Sequence, residues 1–307
     1  MSRKGRKKAT FGDIMSTLLM LIALCVFLFS AYTLYGFYKE YKKGSDEYDN
    51  LESSYAVKPV ADDGTQETNA DGTKRPAALT NLDELEDDLT LRKIAGRELE
   101  VDTETVTENG QQVTLPAMKN PIDFVQLQEV NEDIVGWLRV RALDISYPVV
   151  QGEDNDFYLH RTFEKTDNFA GCLFMNCDNA PNYTDQNTII YGHNMKNGSM
   201  FGKLKQFREE ETFNKSKYFW IFTKDLIYQY RIFSAYVVNK TGLNYQTFFS
   251  EEEFEQLLET ACASSEVDNS NVTVEKTDRI VTLSTCTGDD ATRFVVLGKL
   301  AQVYAAK

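Results

Sequence analysis

Two short segments carry the side chains best suited to chemistry. TLSTCTGDDATRF, residues 282–294, places Cys286 at the end of an apolar, β-branched run and Arg293 seven positions later, ahead of another such run. NTIIYGHNMKNG, residues 187–198, runs an apolar stretch into a turn-forming Asn/Gly segment with His193 at the junction. A cysteine thiol near neutral pH is mostly protonated, so attack on a carbonyl needs a base or a positive field beside it. His193 is able to supply either. The carbonyl under attack also needs donors aimed at its developing oxyanion, and Arg293 is the local candidate. If TGDDAT is a hairpin-like loop, its flanking strands set Cys286 and Arg293 side by side across the ladder. Arginine is permanently charged and forked, which suits it to holding a carbonyl.

Each of these residues also has a plainer explanation. Buried cysteines at strand ends are common and inert, and an Arg after Asp-Asp is often a surface ion pair worth little. Taken alone, the local chemistry leaves nucleophile and core thiol equally open for Cys286. The chain has five cysteines, at 25, 172, 177, 262 and 286, with no repeated short spacing, so neither a disulfide framework nor a zinc site is expected. Cys177, beside Asp178 in a loop, is the one serious competitor and lacks a following basic residue. The two histidines are His160 and His193. His160, among aromatics in DNDFYLHRTF, reads as structural and helical, whereas His193 sits where a strand opens onto a loop, the usual place for reactive groups. No metal or cofactor is expected.

The elements that must position these groups begin near Pro121. PIDFVQLQEVNEDI has the pattern of an amphipathic helix. Eight β-rich runs follow: IVGWLRV, ISYPVVQ, GCLFMN, NTIIYGH, YFWIFT, LIYQYRIFSAYVV, RIVTLSTC and RFVVLGKLAQVY. That density of short strands predicts a sandwich or closed barrel rather than a βαβ sheet. Two helices interrupt them, over SMFGKLKQF and over SEEEFEQLLETACASS, where Ser250 and Glu253 spell a capping box.

Upstream lie three segments of different character. Residues 1–13 are basic, with five Lys/Arg in the first eight. Residues 14–38 are uncharged and apolar, long enough at ~1.5 Å per residue to cross a hydrocarbon core of about 30 Å. Basic residues before this span and acidic ones after it predict a single-pass cell-membrane anchor with a cytoplasmic N-terminus and the remainder outside. A cleaved signal peptide is the rival reading; the length of the run and its aromatic end favour a retained anchor. Residues 39–119 are polar and acidic. Residues 44–119 hold 18 Asp/Glu against 7 Lys/Arg, a net of −11 within a chain total of −14. This stretch is expected to be a largely disordered spacer, spanning on the order of 50 Å as a coil, with one helix over NLDELEDDLTLRKIAGRELE. The acidity excludes a nucleic-acid footprint.

TLSTC followed by Arg293, with IIYGHNM upstream, resembles the sortases, the cell-wall transpeptidases of Gram-positive bacteria. NEDIVGWLRV, YPVVQGEDNDFYL and the IIYGHNMKNGSMFGKL block are similar to class B, over roughly residues 123–304. The resemblance implies a mainly β fold with added helices, an eight-stranded sortase-type barrel in a catalytic domain at 120–307. It implies that Cys286 attacks a sorting signal to form a thioester, that His193 protonates the leaving amine and later deprotonates the incoming one, and that Arg293 orients substrate and stabilises the oxyanion. The implied partners are sorting-signal-bearing surface proteins and an amine acceptor on a peptidoglycan precursor or pilin. By local match, the implied substrate groove comprises Asn155, Leu159, Thr241, Tyr245 and Ser284. Two departures stand out: the Cys-to-Arg loop is short, and Thr287 follows the cysteine where some members have an acidic residue. The spacer is also long for the class. Another extracytoplasmic cysteine protease or transpeptidase, or an inert anchored scaffold, are the competing readings.

Overall fold

The computed structural model describes residues 11–55, 103–108 and 110–307. Eight of its strands follow one another around a ring. They are β3 (Ile134–Val140), β4 (Ile145–Val150), β5 (Leu173–Met175), β6 (Asn187–Tyr191), β7 (Tyr218–Phe222), β8 (Leu226–Asn239), β9 (Ile280–Cys286) and β10 (Thr292–Ala306). Their order is β10-β8-β7-β3-β4-β5-β6-β9, and β9 pairs back onto β10 to close the barrel. All eight β-rich runs of the sequence are strands. Two pairings within the ring, β4–β5 and β6–β9, are parallel, and the others are antiparallel. Closure leaves the ring without an unpaired edge, the liability of open antiparallel sheets. Trp137, Trp220, Phe219, Phe222, Tyr230 and Phe233 fill the buried positions.

Short helices decorate the ring. Helix α2 (Phe124–Val130) starts at Asp123, whose carboxylate accepts the amides of Val125 and Gln126. Helix α3 (Glu210–Lys215) is a short turn before β7. Helix α4 (Glu251–Ser264) opens with the expected capping box: Ser250 accepts from the Glu253 amide, and the Glu253 carboxylate accepts from the Ser250 amide. Its Phe254, Leu257, Leu258 and Ala261, at helical spacing, bury against Phe233, Tyr236, Val295 and Leu297 of β8 and β10. Each large apolar side chain so buried contributes roughly 1.5–3 kcal/mol. The other interrupting segment differs from expectation, because Leu204–Arg208 is a 3-10 turn rather than an α-helix. Gly202 sits so near Met195 that a Cβ would stand 2.2 Å from its carbonyl oxygen. That close approach leaves room only for a tight turn. His160 likewise ends a 3-10 turn, Phe157–His160.

The spacer also departs from expectation at both ends. Helix α1 runs Phe11–Tyr55, well past residue 38. Its part up to Asp46 forms one compact unit and contains a stretch, Met15–Gly36, long and apolar enough to cross a membrane. Residues 47–55 belong to the second unit with the barrel, where Tyr48 and Leu51 are buried. At the other end of the spacer, β1 (Thr103–Glu108) and β2 (Gln111–Met118) form an antiparallel hairpin. Strand β2 adds to β10 in parallel through Ala117 and Met118. Acidic composition is therefore a poor guide there, since alternating β-branched residues supply the pairing face. The helix expected over residues 81–100 lies outside the described residues.

Candidate active site

Strand β9 ends on Cys286, and its antiparallel neighbour β10 opens one residue before Arg293; the register places Arg293 directly opposite Cys286. Residues so opposed carry Cβ atoms about 4.5–5.5 Å apart. The connecting turn needs Gly288, whose φ of +102° lies in the region that favours glycine. Asp289 accepts the amide of Ala291, and both Asp289 and Asp290 are exposed, so the two acids serve the turn. The Arg293 guanidinium is tied to that turn: Nη1 donates to the carbonyls of Asp290 at 3.1 Å and Thr292 at 2.8 Å. Its remaining donors are free of these bonds. Lys205, from the 3-10 turn after the histidine segment, donates to the Thr287 carbonyl at 2.8 Å and holds the residue next to the thiol.

Parallel pairing on the other side of β9 brings in the histidine. Tyr191 of β6 is in register with Ser284 of β9, and the Gly192 amide donates to the Ser284 carbonyl at 3.1 Å. Thr285 closes the link by donating its hydroxyl to the Gly192 carbonyl at 2.8 Å. Two residues beyond Tyr191 is His193, and two beyond Ser284 is Cys286, so both follow the same end of a paired ladder whose strand axes lie about 4.8 Å apart. Gly192 is required at this junction, because a Cβ there would meet Leu173 Cδ2 at 2.5 Å and Phe201 at 2.7 Å.

The imidazole is held by a backbone group. His193 Nε2 is 2.7 Å from the Leu159 carbonyl oxygen. A carbonyl only accepts, so Nε2 carries the proton and Nδ1 is the free nitrogen. The His160 ring stacks beside it at 6.0 Å between centroids and 28° between planes. Burial holds the His193 imidazole below its usual range, with His160 adding to the effect and the Leu159 carbonyl opposing it. The neutral ring is therefore favoured at neutral pH.

Three of the expected groove residues join one polar chain leading away from the thiol. The hydroxyls of Tyr245 and Ser284 share a hydrogen bond of 2.9 Å. The Tyr245 ring stacks on Tyr191 at 6.3 Å and 6°. Asn176 donates to the Tyr191 hydroxyl at 3.0 Å, and Asn155 donates to Asn176 at 3.4 Å while accepting the Cys177 amide at 2.9 Å. Burial pushes both phenols up to about 12; the Asn176 and Ser284 hydrogen bonds and the Arg293 charge pull Tyr191 and Tyr245 back. Leu159 enters through its carbonyl rather than its side chain. Thr241 stands apart, exposed on the turn after β8; that turn touches the Cys–Arg loop where Lys240 donates to the Ala291 carbonyl at 3.1 Å. Lys205, Asn176 and Tyr191 were not singled out from sequence. Tyr191 had a signal, since it closes the apolar run that opens onto His193.

The other thiols are poorly placed for nucleophilic work. Burial and the neighbouring Asp178 push the Cys177 thiol up, burial does the same to Cys262, and Cys172 is buried. Cys25 lies on α1 within the apolar stretch.

A closed barrel that presents a thiol, an imidazole and a guanidinium at adjoining strand ends has the parts of a cysteine-dependent acyl-transfer enzyme. Comparison with known proteins makes this specific. The Sortase domain family model matches residues 138–301. Sortase B of Listeria monocytogenes is 38% identical over 178 residues, covering 57% of this chain and 72% of that protein. The X-ray structure of Clostridium perfringens sortase B superposes with a TM-score of 0.55 at 36% identity, covering 59% of this chain and all of that one. The Staphylococcus aureus sortase B–substrate complex gives 0.54 at 33% identity, over 58% of this chain and 84% of that one. The chain belongs to the sortase family, in class B, and is a cysteine transpeptidase that processes cell-wall surface proteins.

Proposed function

We propose that this protein is a membrane-anchored class B sortase in which Cys286, His193 and Arg293 carry out the transfer. The observation that carries this reading is the register that sets Arg293 opposite Cys286 while a parallel strand delivers His193 from the other side. The Cys286 sulfur attacks the scissile carbonyl of a C-terminal sorting signal. The carbonyl π electrons move to oxygen, where the guanidinium of Arg293 stabilises them. Collapse breaks the C–N bond, the proton first lost by the thiol passes from His193 Nδ1 to the leaving amine, and a thioester remains on Cys286. An acceptor amine then attacks the thioester and gives a proton to Nδ1; the C–S bond breaks to expel the Cys286 thiolate, which takes that proton back and restores the neutral imidazole. A thioester keeps enough acyl-transfer potential for an amine to compete with water.

Asn155, Leu159, Thr241, Tyr245 and Ser284 are proposed to line the groove for the sorting signal. The acceptor is proposed to be an amine of a peptidoglycan precursor or a pilin lysine. The apolar stretch Met15–Gly36 supports anchoring, and the basic residues preceding it support a cytoplasmic N-terminus with the barrel outside.

Full-length protein in detergent micelles, incubated with a panel of sorting-signal peptides, is expected to show an acyl adduct on Cys286 by intact-mass spectrometry. Added amines of cell-wall-peptide or lysine type are expected to discharge it, and the more effective one identifies the acceptor class. Absence of an adduct with every peptide, or an adduct that persists in Cys286→Ala, would sink this reading.

A further inference from the structure

The atoms that hold His193 are themselves held from outside the barrel. Gly171 has a φ of +57°, and a Cβ there would stand 2.5 Å from the Leu159 carbonyl oxygen and 2.8 Å from that of Tyr158. Its backbone is thus packed directly on the oxygen that accepts the imidazole proton. On the far side of Gly171, its own carbonyl accepts the hydroxyl of Tyr48 at 2.7 Å, in a buried hydrogen bond between residues 123 positions apart. Tyr48 and Leu51 are 4% and 2% exposed. The Tyr48 ring meets Tyr147 edge-on at 5.4 Å and Phe163 at 6.4 Å, and Tyr55 meets Phe163 at 6.3 Å. The Tyr55 carbonyl accepts the Asp123 amide at 3.0 Å, which fixes the end of the helix.

The segment bearing Leu159 is held on its barrel side by other bonds. Asn131 donates to the Tyr158 hydroxyl at 2.9 Å, the Tyr158 hydroxyl donates to Asp133, and Cys172 donates its amide to the Tyr158 carbonyl at 3.3 Å. These fix Tyr158. The carbonyl of the following residue is braced by Gly171, and Gly171 by Tyr48. We infer that the last two turns of α1 are a positioning element for the site: Tyr48, supported by Leu51, presses Gly171 onto the Leu159 carbonyl and thereby holds His193 in the Nε2–H tautomer. The inference rests on the proposed acid–base role of His193. It gives residues 47–55 a part in the chemistry that a simple tether lacks, and Tyr48 acts through Gly171 and Leu159 without touching substrate.

The test uses full-length protein in detergent micelles labelled with 15N-histidine, in which two imidazoles give the whole signal. Wild type is expected to show His193 as the Nε2–H tautomer. In Tyr48→Phe, which keeps the ring packing and removes one hydroxyl, and in Tyr48→Phe/Leu51→Ala, the Nδ1–H form is expected to gain population. The kcat for a sorting peptide is expected to fall about three- to tenfold with KM within about twofold. Gly171→Ala, which displaces the Leu159 oxygen directly, is expected to fall further. Unchanged tautomer populations in both α1 variants overturn the inference, whatever happens to kcat; if the double variant fails to fold, Tyr48→Phe alone decides. A tautomer shift with unchanged kcat supports the positioning and instead removes His193 from the proposed chemistry. An inactive wild type would defeat the proposed function while leaving the spectra to judge the positioning.

Discussion

Because the Leu159 carbonyl can only accept, neutral His193 keeps its proton on Nε2, which leaves Nδ1 as the nitrogen able to take one. This bears on Thr287, which stands where some members of the family have an acidic residue. Orientation of the ring needs no carboxylate, and Asp289 and Asp290 are occupied as turn residues. The charged imidazole is disfavoured by burial and by His160, so activity that requires a neutral base should persist to mildly acidic pH. The sign is set by the depressed value: kcat/KM falls only as pH drops through a point below 6.5, the ordinary value for histidine. His160→Ala removes one cause of the depression, so its acid limb should move to higher pH while the plateau rate stays near wild type. A pH profile of kcat/KM checks this; a limb that stays put or moves lower would contradict the stacked-ring contribution. Short loops and strand ends are local features and marked Cys286, His193 and Arg293 as candidates in the sequence, and the family resemblance favoured them over the plainer explanations. The sequence was silent on Leu159 O as the orienter, since that contact joins residues 34 apart through a backbone atom whose residue type carries no signal.

At the scale of elements, the Cys–Arg pairing was legible because a five-residue turn between two β-branched runs leaves few registers available. The eight strands were legible for the same reason, each being short, apolar and bounded by turn residues. The hairpin β1–β2 was not recognised, although its signal was present: TETVTE and QQVTLPAM flank Asn109-Gly110, a favoured hairpin dipeptide. The acidic residues around it mask that signal in the composition. The docking end of α1 had a comparable signal in Tyr48, Leu51 and Tyr55, spaced for one helical face. Lys205 illustrates what no local pattern offers, an ammonium whose partner is a carbonyl 82 residues away. Lys205→Met should loosen the turn that carries Arg293 and lower kcat/KM about fivefold, equivalent to about 1 kcal/mol, an ordinary net value for one hydrogen bond at a half-buried site. Unchanged steady-state kinetics, with the melting temperature intact, would show that the turn holds without it.

For the whole molecule, the hairpin is fastened at a second point besides its short pairing with β10. Arg279, the residue before β9, pairs with Glu108 at 2.8 Å, with side-chain exposures of 22% and 15%. Breaking such a partly buried pair from one side leaves a charge without its partner. Arg279→Met should therefore lower stability by about 2 kcal/mol in denaturant titration. The double variant Arg279→Met/Glu108→Gln should recover part of that loss. Equal stability of single variant and wild type would mean that the pair is solvent-screened and the hairpin held by its pairing with β10 and the Lys307–Glu104 ion pair. Closure of the barrel itself was beyond the reach of composition and periodicity, which left sandwich and barrel open; the resemblance pointed to the barrel, and the β9–β10 pairing closes it.

The parallel ladder between β6 and β9 has one more consequence. The pairing of β6 with β9 sets the strand ends ahead of His193 and Cys286 side by side, and of the chain that connects them only its first part ties onto those ends, through Phe201 to the His193 carbonyl and Lys205 to the Thr287 carbonyl. Beyond Lys205 the connecting stretch runs through β7, β8, α4 and the turns around Tyr245, so insertions or deletions in those later loops are expected to leave the β6–β9 pairing unchanged while reshaping the proposed groove. Changes in length inside either strand have no such licence: a single residue gained within β6 would turn the side chains that follow it in the strand to the opposite face of the sheet. The barrel thus separates the part of the enzyme that is free to diversify from the part that has to keep its measure.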